Sequence, residues 1–251
     1  VRIVQNGRGS RFFRCTKSGI EEGYLKYPPQ PIFKCGGYQL INAQMKGNKP
    51  EIKNLLIDLG GVLYAIDYSL IESGMQRIQS LSRTTSVKYS KSFQDELFSQ
   101  FERGEISAEV FYAEMKVKFE LEASQEEFEQ VWNSMLFGLI PGRLELIQSL
   151  KTRYRLFLLS NTNIVHYNYL IPECQEIFGL FDQCYFSFEM GKRKPSVEIF
   201  QQVLEEQGLL PEETLFIEDS PQHIITANGL GIHTLFASDS NWPEQLTFHL
   251  S

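Results

Sequence analysis

The chain lacks any apolar run approaching the roughly 20 residues needed to cross a bilayer, so a spanning helix is not expected. It also lacks a basic surplus: its 251 residues carry a net charge of −7. Neither nucleic acid nor an anionic membrane is an expected partner, because both require a positive face. There are only four cysteines, Cys15, Cys35, Cys174 and Cys184, and no C-x-x-C pair. That argues against a zinc site or a disulfide framework and fits a reducing cytoplasm. The four histidines, His166, His223, His233 and His249, have no metal-ligand spacing.

Charge is unevenly spread. Residues 1–50 hold nine Lys/Arg and two Glu, a balance of +7, so residues 51–251 carry −14. This shift sets a boundary near Lys53, with a basic N-terminal extension, 1–50, that shows neither helical nor strand period. The first methionine is Met45, and the favoured expectation is a functional protein beginning there, the preceding residues being non-native or disordered; the alternative is a basic targeting arm, since organellar presequences are Arg-rich and acid-poor.

What the chain does have is four polar clusters, each closing an apolar run. Leu55 to Ile57 ends in Asp58-Leu59-Gly60, and Leu215-Phe216-Ile217 ends in Glu218-Asp219. Leu156 to Leu159 runs into Ser160-Asn161-Thr162-Asn163, and Gly191-Lys192-Arg193-Lys194-Pro195 precedes a helix. In an open parallel sheet, ligands collect outside the carboxyl ends of the strands, so these groups can converge despite their separation. Converging carboxylates call for a cation, and oxygen ligation favours magnesium. A carboxylate nucleophile, a hydroxyl beside amide donors, a lysine and an acidic pair together suit phosphoryl transfer through an aspartyl phosphate.

These four clusters, in this order, resemble the motifs of the haloacid dehalogenase-like hydrolase superfamily over residues 51–237. Within it, Asp58-Leu59-Gly60-Gly61-Val62-Leu63 and Gly191 to Pro195 look most like the small-sugar phosphatases, those acting on glucose 1-phosphate in particular. The resemblance implies Asp58 as nucleophile and Lys194, directly before Pro195, as the catalytic cation. Ser160, the Asn161 amide and Lys194 would hold phosphate. Asp58, the Gly60 carbonyl, Asp219 and Glu218 would hold Mg²⁺, Glu218 directly or through water. Arg193 is expected behind this set or exposed.

One departure matters. Most phosphatases of this superfamily carry a second aspartate two residues after the nucleophile, where this chain has Gly60. A missing acid/base typically costs on the order of 10² to 10⁴ in rate, so good leaving groups, such as the anomeric oxygen of a sugar 1-phosphate, are expected to be preferred. Asp67 is the first candidate to replace it, with a capping role in the linker as the equal alternative. A dehalogenase using Asp58 on carbon, and a catalytically weak binding protein, are the competing readings.

Helical spacing without strand-like runs fills 68–139, with Gly104 ending one helix and Ser107 capping the next. From Pro141 onward helices alternate with short apolar runs. The expected fold is α/β: a doubly wound, Rossmann-type parallel sheet built from 51–67 and 140–251, with 68–139 as an inserted all-helical cap. Arg103, Glu105 and Trp132 are the cap residues available for substrate contact, with no choice among them. The expected partner is a small phosphorylated molecule.

Overall fold

The computed structural model describes residues 2–5, 11–14, 51–81, 95–237 and 241–250. In the leading unit, β1 (Arg2–Gln5) and β2 (Arg11–Arg14) pair antiparallel, Ile3 opposite Phe13 and Val4 opposite Phe12. The sequence reading expected no strand here, because four residues are too few for a two-residue period to stand out. The expected start at Met45 lies outside the described residues.

The second unit runs from Pro50 to the end of the chain. Its elements in order are β3 (Asn54–Ile57), β4 (Tyr64–Ile66), α1 (Ser69–Ile78), α2 (Glu96–Glu102), α3 (Ala108–Lys118), α4 (Gln125–Asn133) and β5 (Leu136–Leu139). There follow α5 (Arg143–Lys151), β6 (Arg155–Ser160), α6 (Ile164–Phe178), β7 (Gln183–Phe186) and α7 (Ser187–Met190). The chain closes with α8 (Val197–Gln207), β8 (Thr214–Glu218), α9 (Pro221–Gly229), β9 (His233–Phe236) and α10 (Trp242–Leu250).

Five strands form one sheet in the order β7-β6-β3-β8-β9, every neighbouring pair parallel. Side chains alternate across it, as a period of two requires. Leu55, Ile57, Leu156, Leu158, Leu215 and Ile217 join one apolar cluster. Leu56, Phe157, Leu159 and Phe216 join another on the opposite face. With both faces covered by helices, the strands read as continuous apolar runs. The chain leaves β3 for β6 on one side and β8 on the other, so the strand order reverses at β3, where such sheets open a crevice. Ile57 pairs with both Leu158 and Ile217, so Asp58 comes level with the last residues of β6 and β8, near Ser160 and Glu218.

The cap helices begin where side-chain oxygens meet free backbone NH groups. Asp95 accepts from Leu97 N, Ser107 from Val110 N, and Ser124 from Glu127 N within a reciprocal capping box. Their shared interior is aromatic: Phe111 stacks on Phe101 at 4.1 Å and meets the Trp132 edge at 5.0 Å. Phe98 and Phe128 stack on the same tryptophan.

Two expectations are corrected. The insertion is not wholly helical, because β5 pairs antiparallel with β4, Tyr64 opposite Leu139, at the foot of the cap. Leu136-Phe137-Gly138-Leu139 shows no buried/exposed alternation, so pattern reading had nothing to register. The strand expected over Cys184–Phe188 ends at Phe186, and Ser187 begins α7, its buried hydroxyl bridging Thr162 N and O, each at 2.9 Å.

Candidate active site

Asp58 is the first residue after β3, its NH held by Ile217 O at 3.0 Å. The next turn is tight, with Leu63 N and Tyr64 N both donating to Leu59 O. Gly61 sits at φ 78° within it, a left-handed conformation that glycine adopts without steric cost. The chain therefore leaves the sheet at once and opens room over the strand ends.

Into that room, from the loop between α7 and α8, comes Lys194. Its side chain is fully buried, and Nζ donates to Asp58 Oδ1 at 2.8 Å, Glu218 Oε2 at 2.8 Å and Leu159 O at 2.7 Å. Three donors meet three acceptors, so the ammonium is saturated and fixed in place. Asn161, expected only to offer its amide to phosphate, has a second duty. Its side chain clamps the Lys194 backbone, Oδ1 accepting from Lys194 N at 2.9 Å and Nδ2 donating to Lys194 O at 2.8 Å.

Asp58, Gly60, Ser160, Asn161 and Lys194 line a single cavity. Carboxylate oxygens of Asp58, Glu218 and Asp219 lie within 4.8 Å of one another. Every site residue expected from the sequence is thus gathered at the ends of β3, β6 and β8. Three carboxylates against one ammonium leave two negative charges over when all are ionised, in a donor set made only of oxygen. Such a set suits a hard divalent cation.

A profile of the haloacid dehalogenase-like hydrolase family matches residues 52–231. The chain belongs to that family. It is 28% identical over 206 residues to a D-ribitol-5-phosphate phosphatase of Bacteroides thetaiotaomicron, covering 80% of this chain and 99% of that one. It is 25% identical to a sesquiterpene phosphatase of Aspergillus oryzae, covering 75% and 91%. A family enzyme from B. thetaiotaomicron, crystallised with magnesium and inorganic phosphate, superposes with a TM-score of 0.64 at 33% identity, over 74% of this chain and 93% of that one.

Electrostatics in this haloacid dehalogenase-like site are strongly coupled. Burial alone would lower the Lys194 pKa, but Asp58 and Glu218 beside it reverse the effect and raise it above the ordinary lysine value. Burial likewise pushes Glu218 up, and Lys194 and His223 outweigh it, holding the carboxyl far below its usual range. Glu218 Oε1 also accepts from Asp219 N at 3.0 Å and Ser220 N at 2.9 Å. His223 Nδ1 lies 2.9 Å from Glu218 Oε2, in ion-pair range but off the hydrogen-bonding angle. Burial lowers its pKa.

Asp67 does not line the cavity. Its Oδ1 accepts from Ser69 N at 2.9 Å and Ser69 Oγ at 2.6 Å, which makes it a turn residue at the start of α1. The space beside Gly60 is also taken: a Cβ there would stand 2.5 Å from Ile66 Cδ1. The position of the missing acid is therefore occupied by an isoleucine from β4.

The cap residues named from sequence are placed elsewhere. Arg103 pairs with Glu105 at 2.6 Å and Glu96 at 2.8 Å, and Trp132 is buried among the cap aromatics. Arg193, expected to be exposed or in a supporting position, instead lines the cavity, as do Glu102, Tyr64, Ile66 and His166. Arg193 sits in the basic motif already singled out, whereas no sequence pattern placed Glu102, Tyr64, Ile66 or His166 at the cavity, which they reach through tertiary packing.

Proposed function

We propose that the chain is a magnesium-dependent phosphatase of small phosphorylated metabolites acting through an aspartyl-phosphate intermediate. The observation that carries this reading is the Asp58–Lys194 contact at 2.8 Å beside a three-carboxylate cluster at the strand ends. Asp58 Oδ would attack phosphorus, forming an Asp58 O–P bond as the ester O–P bond breaks, and water would then release phosphate and restore Asp58. Lys194 offsets charge on the transferring group and holds the nucleophile in register, since its own position is pinned by Asn161 and Leu159. Ser160 and the Asn161 amide supply donors to the phosphoryl oxygens. Asp58, the Gly60 carbonyl, Asp219 and Glu218 would hold Mg²⁺, which when bound neutralises phosphoryl charge.

The relatives act, by their names, on an alditol 5-phosphate and a sesquiterpene phosphate rather than on glucose 1-phosphate. The substrate is therefore drawn as a class, monophosphates of sugars and related polyols. Gly60 with Ile66 beside it leaves no carboxyl at the usual donor position, so departing oxygens that need little protonation are favoured, anomeric and aryl above primary alkyl.

Two measurements test this. Asp58→Asn in the full chain with magnesium should lower hydrolysis of phenyl phosphate by at least about 10³-fold; appreciable turnover by the folded variant would rule out Asp58 as nucleophile. Across an aryl phosphate series, kcat/KM should rise steeply with leaving-group acidity, and glucose 1-phosphate should exceed D-ribitol 5-phosphate. A flat series with equal sugar and alditol rates would mean that another group supplies the proton.

A further inference from the structure

The chain crosses between the sheet and the helical insertion twice, outward along β4 and back along β5. These strands are three and four residues long and form a sheet of two. A ribbon of that size is marginal on its own, so its position depends on what it is fastened to. The position matters at the site, because Tyr64 in β4 lines the cavity and its carbonyl accepts from Gly61 N at 2.8 Å in the turn after Asp58.

The fastening comes from one face of α6. His166, Leu170 and Glu173 follow one another at four and three residues, the spacing that stacks side chains on one side of a helix. His166, neutral through burial, faces Trp132 O near the end of α4 through Nε2 and Asn163 Nδ2 through Nδ1, both at 3.1 Å. Leu170 lines the cavity. Glu173 reaches the ribbon itself: Oε2 accepts from the Tyr64 hydroxyl at 2.8 Å, and Oε1 accepts from Leu139 N at 2.9 Å. Tyr64 and Leu139 lie opposite each other in the register, so one carboxylate ties both crossings to the core at the same level. Burial, with Glu173 beside it, raises the Tyr64 pKa above the ordinary phenol value, and the hydroxyl stays a donor. Gly138 leaves room for this approach, since at φ 130° a Cβ on it would stand 3.0 Å from Glu173 Oε1.

We infer that Glu173 is a positioning residue, the clip that fixes the hinge of the helical insertion and so keeps Met135 and Leu136 in one cavity with Asp58. Glu173 is exposed and does not line that cavity. It therefore acts on how well a ligand is enclosed, and the chemistry at Asp58 proceeds without it. The effect on turnover rests on the phosphatase reading above, whereas the clip itself does not.

The test uses full-length wild type, Glu173→Ala, Glu173→Gln and Tyr64→Phe. Glutamine can still accept from Leu139 N and donate to the Tyr64 oxygen; alanine can do neither. Hydrogen exchange at the Leu139 amide, read without substrate, should be about tenfold faster or more in Glu173→Ala, the scale of one lost hydrogen bond to a charged group. It should stay near wild type in Glu173→Gln and rise by less in Tyr64→Phe, which gives up one of the two contacts. With magnesium and phenyl phosphate, Glu173→Ala should raise KM about fivefold or more, as expected when the enclosed form is only fractionally populated. Its kcat should stay within about twofold, and Glu173→Gln should restore KM. Unchanged exchange in Glu173→Ala, or exchange in Glu173→Gln as fast as in Glu173→Ala, would overturn the inference. Faster exchange with unchanged KM would overturn it too, because the contact would then fasten the ribbon without shaping the cavity. If wild type hydrolyses no ester, the phosphatase reading fails, and the exchange measurement alone decides whether Glu173 is the clip.

Discussion

The strand ends and the cap are held together by opposite kinds of force. Around Lys194 the contacts are charged, buried and directional, each donor matched to an acceptor. Around Phe111 and Trp132 they are aromatic and non-directional, with the described charges of Arg103 and Glu96 turned to the surface. A charged cluster tolerates almost no displacement, since an unpaired buried charge costs several kcal/mol. An aromatic interior fixes volume more than position, and isosteric repacking usually costs less than about 1.5 kcal/mol. On the proposed function, the charged centre at the strand ends demands exact placement, while the aromatic interior of the helical insertion tolerates repacking.

Substitutions at the two centres should break this contrast in different ways. Lys194→Met removes the common partner of Asp58 and Glu218, so it should lower kcat by about 10²-fold or more and destabilise the fold by about 3–5 kcal/mol. Chemical denaturation and steady-state kinetics on one preparation would show both losses together; a normal kcat would transfer the role to Lys192. Phe111→Ala, in the cap, should cost a similar 3–5 kcal/mol through cavity formation. Here, however, the loss should appear in the denaturation midpoint and in KM more than in kcat. A kcat defect as large as that of Lys194→Met would erase the distinction between the two regions.

The smallest effect is a pH dependence at their junction. Burial lowers the His166 pKa from 6.5 to about 4. Between those values the unfolded chain binds a proton that the folded chain does not, so stability falls as pH drops from 6.5 toward 4 and is unaffected above 6.5. The shift corresponds to about 3 kcal/mol at most. Glu218 behaves differently: its folded pKa lies below the ordinary 4.5, so its contribution persists above 4.5 and is lost only on further acidification. Denaturation midpoints of wild type and His166→Gln from pH 7 to 4.5 should converge at the acid end. Parallel curves would show that His166 is not the titrating group.

Legibility from sequence follows the same division. Asp58, Ser160 and Glu218-Asp219 could be read because each ends a run of residues buried on both sheet faces, and the parallel topology brings such ends together. Lys194 could be read because its neighbours Gly191 and Pro195 bracket it. The Asn161 clamp on a backbone 33 residues away and the Arg193–Ser99 bond across 94 residues have no local signature. Nor does Ile66, whose end fills the space beside Gly60 only because of how β4 folds back. The helix start at Ser107 was visible through cap chemistry, whereas β5, short and without alternation, was not.

Gly104, at φ 66°, lies so close to the core that a Cβ on it would stand 2.2 Å from the carbonyl oxygen of Phe188. That obstacle is backbone and cannot rotate aside. The absent side chain thus works as a clearance gap: its width sets how near the tip of the α2–α3 turn comes to α7. Alanine, then larger residues, would act there as shims of graded thickness, propping the roof away from the floor by increments. The spacing between that turn and α7 could in this way be adjusted with every cavity-lining residue left unaltered.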